Sequence, residues 1–150
     1  SGDQVSMSDE ELTEYKVDPT VVAVVVGYSS TFNFRKLCIS TLYIQLNNAE
    51  YIATNPDRHF LMEESGRYMP GGGAINQAID TGTDTMPTMI GKPERYAFDL
   101  IRKEHSLEEK DLSQFLMVGD NLETDILFGN NSGIDTLLVL SGNTKIEKAK

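Results

Sequence analysis

The residues most suited to chemistry lie in Gly119-Asp120-Asn121-Leu122-Glu123-Thr124-Asp125. The segment follows an apolar run and opens a helical one. In open α/β sheets, ligands bind beyond the carboxyl ends of the strands, and Asp120 falls at such an end. A hard carboxylate there, with a second five residues on, suits Mg²⁺, which takes one or two carboxylates plus water and substrate phosphate. The same two aspartates also suit the positive end of the following helix, with no metal at all. Lys92, in Gly91-Lys92-Pro93, precedes an expected helix. A cation is unfavourable at that end of the dipole, so a negative partner is expected, either a phosphate or a carboxylate such as Asp125. A solvated surface lysine is the other reading. Taken together, a lysine and metal-type carboxylates at neighbouring strand ends describe a phosphate-binding corner.

Other candidates are weaker. Gly71-Gly72-Gly73 precedes a short helix and could cradle a phosphate. The dinucleotide fingerprint fails because Asn76 stands at its third glycine position, and a tight turn is the simpler reading. His59 lies in a loop after Asn55-Pro56-Asp57, where ligand contacts are common. His105 falls at a helix C-terminus, where a cation is welcome. Cys38 is expected in the core. No Ser-His-Asp arrangement is legible.

These residues need elements to hold them. The continuous run Val21–Val26 reads as a strand buried on both faces, as in a parallel sheet. Phe34, Leu37, Cys38, Leu42 and Tyr43 recur at helical spacing within a helix over 31–48. Strands follow over 50–54, 88–90, 115–118 and 136–140. Helices are expected over 74–80, 94–105 and 123–131, and Ser106–Glu109 fits a capping box. Residues 58–65 read as an exposed loop. Alternating strand and helix give an α/β fold with a largely parallel sheet.

Composition narrows the partners. The chain has 150 residues and a net charge of −10, which argues against nucleic acid, since phosphate backbones need clustered Lys and Arg. At 39% hydrophobic residues the chain is not of the disordered class. No apolar run approaches the ~20 residues of a spanning helix, so no membrane partner is expected. A single cysteine fits a reducing, cytoplasmic location.

Gly91-Lys92-Pro93, followed by Met117-Val118-Gly119-Asp120 through Asp125-Ile126-Leu127-Phe128-Gly129, resembles the third and fourth motifs of the haloacid dehalogenase (HAD) superfamily. The branch most similar is the 4-nitrophenylphosphatase, phosphoglycolate and pyridoxal phosphate phosphatase group. Val25-Val26-Gly27-Tyr28, Ala53-Thr54-Asn55-Pro56-Asp57 and Pro70-Gly71-Gly72-Gly73 resemble that group's α/β cap domain. The resemblance implies hydrolysis of small phosphate monoesters through an aspartyl-phosphate, with Mg²⁺ as cofactor. Lys92 would stabilise the nucleophile and the phosphoryl charge. Asp120 would bind the metal, and Asp125 would support the lysine or the metal shell. Asn55, Asp57 and His59 would help select the substrate. A small phosphorylated metabolite is the expected partner, and a homodimer through the cap is a second one.

The family's nucleophile motif, Asp-x-Asp, has no counterpart, because no two of the eleven aspartates lie two residues apart. The expected organisation is therefore partial. Residues 1–16 form a disordered lead-in, 17–86 most of an α/β cap, and 87–150 the last part of a HAD-like Rossmannoid core. The strand before Asp120 would keep an unpaired edge, which invites pairing with another chain. The chain is expected to be inactive alone, as part of a longer enzyme. A non-catalytic binding or dimerisation module of the same fold is the alternative, and a flavodoxin-like domain is a weaker third reading.

Overall fold

The computed structural model describes residues 5–62, 64–140 and 144. The chain divides into two compact units, Ser1–Met89 and Ile90–Lys150.

In the first unit, α1 (Asp9–Glu14) stands where a disordered lead-in is expected. A complete capping box explains it. Ser8 Oγ accepts from Glu11 N at 3.1 Å, and Glu11 Oε2 accepts from Ser8 N at 2.9 Å. Three acids in the first turn add favourable charge at the helix N-terminus. Met7 is buried just before it.

The sheet of this unit has strand order β1–β2–β5, with all pairings parallel. Its strands are β1 (Ala23–Val26), β2 (Glu50–Ala53) and β5 (Thr88–Met89). The strand at 88–89, expected in the second region, thus belongs to the first unit. Two helices, α2 (Phe34–Leu46) and α3 (Gly72–Thr83), complete its core. That core is Val26, Ile44, Tyr51, Ile75 and Ile79, backed by Val24, Phe32 and Leu37. β1 is not buried on both faces: Val24 and Val26 turn inward, while Val25 is 63% exposed. The side chains alternate across the pleat, and only one face meets the core. Phe34 is also exposed, and Cys38 is half-buried rather than core.

Within the stretch 58–65, expected as a loop, Glu63 lies outside the described residues, and His59–Met62 instead form β3, which pairs with β4 (Arg67–Pro70) as an antiparallel hairpin. Gly66, at φ +65°, occupies its turn.

The second unit pairs β6 (Leu116–Gly119) with β7 (Asp135–Leu138) in parallel. β6 has no second strand neighbour among the described residues. A π turn at Leu122–Ile126 and then α5 (Leu127–Ser132) form the crossover. Gly133, at φ +72°, ends α5. A Cβ on Gly129 would run into Thr136 and lie 3.2 Å from Met117 Cβ. Glycine there lets the helix settle against both strands. The other helix, α4 (Tyr96–Glu104), buries Phe98 against the Phe115 and Phe128 rings. Ser106–Glu109 forms no helical turn. Ser106 has φ +54°, and Arg102 ties the segment down through the Leu107 and Glu108 carbonyls.

Candidate active site

β6 ends at Gly119, and the chain turns at once into the π segment. Asn121 opens that segment, its Oδ1 accepting from Glu123 N at 2.9 Å. The turn folds the Asp125 side chain back toward the strand end. Gly119 makes this approach sterically available, since a Cβ there would collide with the Asp125 side chain. Asp125 Oδ2 accepts from Asp120 N at 3.1 Å and from Asn121 N at 3.2 Å. Asp125 Oδ1 accepts from Lys92 Nζ at 2.6 Å. Burial pushes the Asp125 carboxyl up, but the Lys92 hydrogen bond and charge, with the two backbone amides, outweigh it. The carboxyl sits below its ordinary value.

Lys92 comes from a turn, not from the first turn of a helix. Glu94 N donates to Gly91 O at 3.0 Å, and α4 begins only at Tyr96. The helix-dipole reason for expecting a negative partner therefore does not apply, although the partner is a carboxylate. The lysine side chain is 49% exposed and the Asp125 side chain 7%. The ammonium thus sits against a buried anion, at the end of a side chain that is half exposed. Asp120 is half-buried at the strand end.

No group of three or more His, Cys, Asp or Glu gathers among the described residues. Asp125 spends both oxygens on Lys92 and backbone amides. Mg²⁺ takes one or two carboxylates with water and substrate phosphate, and Asp120 is the other carboxylate of this segment at the strand end.

Asn55, Asp57 and His59 lie in the first unit, brought together by the start of α3. Asn55 Oδ1 accepts from Asp57 N at 3.2 Å, and the Asn55 carbonyl accepts from Asn76 Nδ2 at 3.0 Å. The Asp57 carbonyl accepts from Gly73 N at 2.7 Å, and the Arg58 carbonyl from Gly71 N at 2.9 Å. A Cβ on Gly72 would lie 2.5 Å from Asn55 Oδ1, and one on Gly71 or Gly73 would strike the Asp57 or Pro56 carbonyl. The three glycines therefore receive the 55–58 turn, which takes up the space a phosphate cradle would need. His59 is exposed on β3, its ring 4.9 Å from that of Tyr68. Nearby, Tyr28 meets Phe60 edge to face at 5.6 Å.

His105 ends α4, its N–H bonded to the Ile101 carbonyl at 3.0 Å. Sequence reasoning missed the roles of Gly119, which only the collision geometry reveals, and Asn121, whose capping position could have been read from its place before Glu123.

Residues 89–150 match the HAD-hydrolase-like family model. This part of the chain is thus similar to the HAD-like hydrolases, and most of the chain is similar to NPPases and glycerol-3-phosphate phosphatases. It is 36% identical over 135 residues to a glycerol-3-phosphate phosphatase of Gallus gallus, covering 89% of this chain and 42% of the relative. A thermostable NPPase from Geobacillus stearothermophilus superposes with a TM-score of 0.76 at 35% identity, covering 87% of this chain and 51% of the other. A glycerol phosphate phosphatase from Mycobacterium tuberculosis, in complex with magnesium, superposes at 0.74 and 30% identity, covering 85% and 36%. This HAD-like chain thus spans about 42% of the length of the curated relative. Among the described residues, no helix is long and apolar enough to cross a membrane.

Proposed function

We propose that this chain carries the phosphate-binding lysine and one magnesium ligand of a HAD-type phosphomonoesterase acting on small phosphate esters. The observation that carries the reading is the 2.6 Å contact between Lys92 Nζ and the buried Asp125 carboxylate. The contact fixes an ammonium at the end of a half-exposed side chain. A phosphoryl oxygen ~4 Å from that ammonium would gain ~4 kcal/mol at an effective dielectric of ~20. Asp125 orients the lysine, and Asp120 would hold the magnesium. When bound, that ion would add positive charge against the phosphoryl oxygens. Asn55, Asp57 and His59 would contribute to substrate selection. Attack on phosphorus falls to a carboxylate that this chain does not offer in the Asp-x-Asp pattern.

Two measurements test this. Calorimetry with inorganic phosphate and Mg²⁺ is expected to show binding that Lys92→Met abolishes and Asp120→Asn weakens. The purified chain is expected not to hydrolyse p-nitrophenyl phosphate. Turnover lost on Asp120→Asn would overturn the claim about the nucleophile. The exposed β3 side chains Phe60, Leu61 and Met62 favour a second reading, a binding or dimerisation module. A native mass of two chains with no phosphate binding would select it.

A further inference from the structure

The Lys92 turn is held at a second point. Asn131 Nδ2 donates to the Pro93 carbonyl at 2.9 Å. Because a carbonyl only accepts, the orientation of the Asn131 amide follows from the contact itself. Asn131 lies in the last turn of α5, with an exposed side chain. The helix does not use it for its own ending, because Gly133 N closes on Asn130 O at 3.1 Å and Ile134 N on Gly129 O at 3.0 Å. Asparagine is also a poor helix former, so local helix stability does not explain its presence. One continuous helical segment, Leu122–Ser132, therefore grips both halves of the Lys92-Pro93 dipeptide. Asp125 takes the side chain of the first residue, and Asn131 the backbone of the second.

We propose that Asn131 is a positioning residue for Lys92, its amide holding the Pro93 carbonyl and so fixing the turn that carries the ammonium. As a functional claim this rests on Lys92 being the phosphate-binding group. A phosphate drawn to the ammonium competes with Asp125 for its N–H groups. The Asn131 contact does not involve the ammonium, so it keeps the turn in register while that exchange occurs. Without it, the turn, closed on itself by the Glu94 N to Gly91 O bond, is tied to the helical segment only through the flexible four-carbon lysine stem.

The test is the rate at which acetic anhydride acetylates each lysine of the intact chain, read by peptide mass spectrometry, with Lys103 and Lys110 as internal references. Asn131→Ala and the near-isosteric Asn131→Asp are both expected to raise the Lys92 rate several-fold relative to the references. Far-UV circular dichroism should stay unchanged, because alanine strengthens a helix. Asp125→Asn sets the rate of an unpaired Lys92. Unchanged Lys92 reactivity in both Asn131 variants overturns the proposal. Inorganic phosphate with Mg²⁺ is titrated into the same proteins. If Lys92 is released but the unmodified chain binds no phosphate, the positioning role stands and the phosphatase reading fails.

Discussion

Asp125 is the residue on which the site's charge balance turns. It is 5% exposed, and its oxygens accept from one ammonium and two backbone amides. Asp125→Ala removes all three bonds and leaves the amides unpaired. Hydrogen bonds to charged groups contribute ~1.5–3 kcal/mol each, partly offset here because Lys92 can return to water. We expect a loss of roughly 3–5 kcal/mol, read by urea denaturation, and a smaller loss for Lys92→Met, which leaves the amide bonds in place. The pH dependence has a definite sign. The folded-state value is depressed, so the unfolded chain binds more protons as pH falls through the carboxylate range. The stability from Asp125 is full above the unfolded value of ~3.9 and disappears as pH drops through the lower folded value. The difference between the unmodified chain and Asp125→Ala should be largest near neutrality and shrink below about pH 4. Residue types single out Lys92, Asp120 and Asp125. What spacing alone does not carry is the allocation of oxygens, because it arises from the turn after Gly119.

At the scale of elements, the α/β alternation was legible because buried strands and amphipathic helices leave different apolar periods. Three features were not. The hairpin at β3–β4 leaves all of β3 exposed, so no in–out alternation marks it. Helix α1 is stabilised by its capping box, with no buried residue within it. The strand expected over 88–90 is present at Thr88–Met89, but its pairing with β2 is a long-range fact that the local pattern does not carry. The glycine run before α3 shows how one residue type serves two needs. Gly73→Ala would press a methyl group into the Pro56 carbonyl and is expected to cost about 1–3 kcal/mol, as overpacking does. Gly82→Ala, in the same helix, meets nothing nearer than Thr41 Oγ1 at 3.5 Å. It should stabilise by roughly 0.5–1 kcal/mol, since Gly is the weaker helix former. Parallel chemical denaturation of the two variants checks the contrast.

For the whole molecule, the unsatisfied surface is apolar. Leu116, Val118 and Leu137 on the β6–β7 sheet are about half exposed, as is Tyr68 on the hairpin and more. Among the described residues β6 has one open edge, and such an edge beside these side chains is a template for further pairing. We expect the weight-average mass in sedimentation equilibrium to rise with protein concentration. Leu116→Lys should reduce that rise, because charge blunts an edge strand. The net charge of −10 opposes association at low salt, so the effect should strengthen when salt screens it.

The parallel pairing of β6 with β7 also carries a consequence for the order of folding. Leu116 lies opposite Asp135 across one short crossover, while Lys92 reaches Asp125 from 33 residues away. Asp125 meets the Asp120 and Asn121 amides from only five and four residues off. Loops of small sequence separation close first because they cost less chain entropy. Chain entropy therefore favours seating the carboxylate first and recruiting the cation to it.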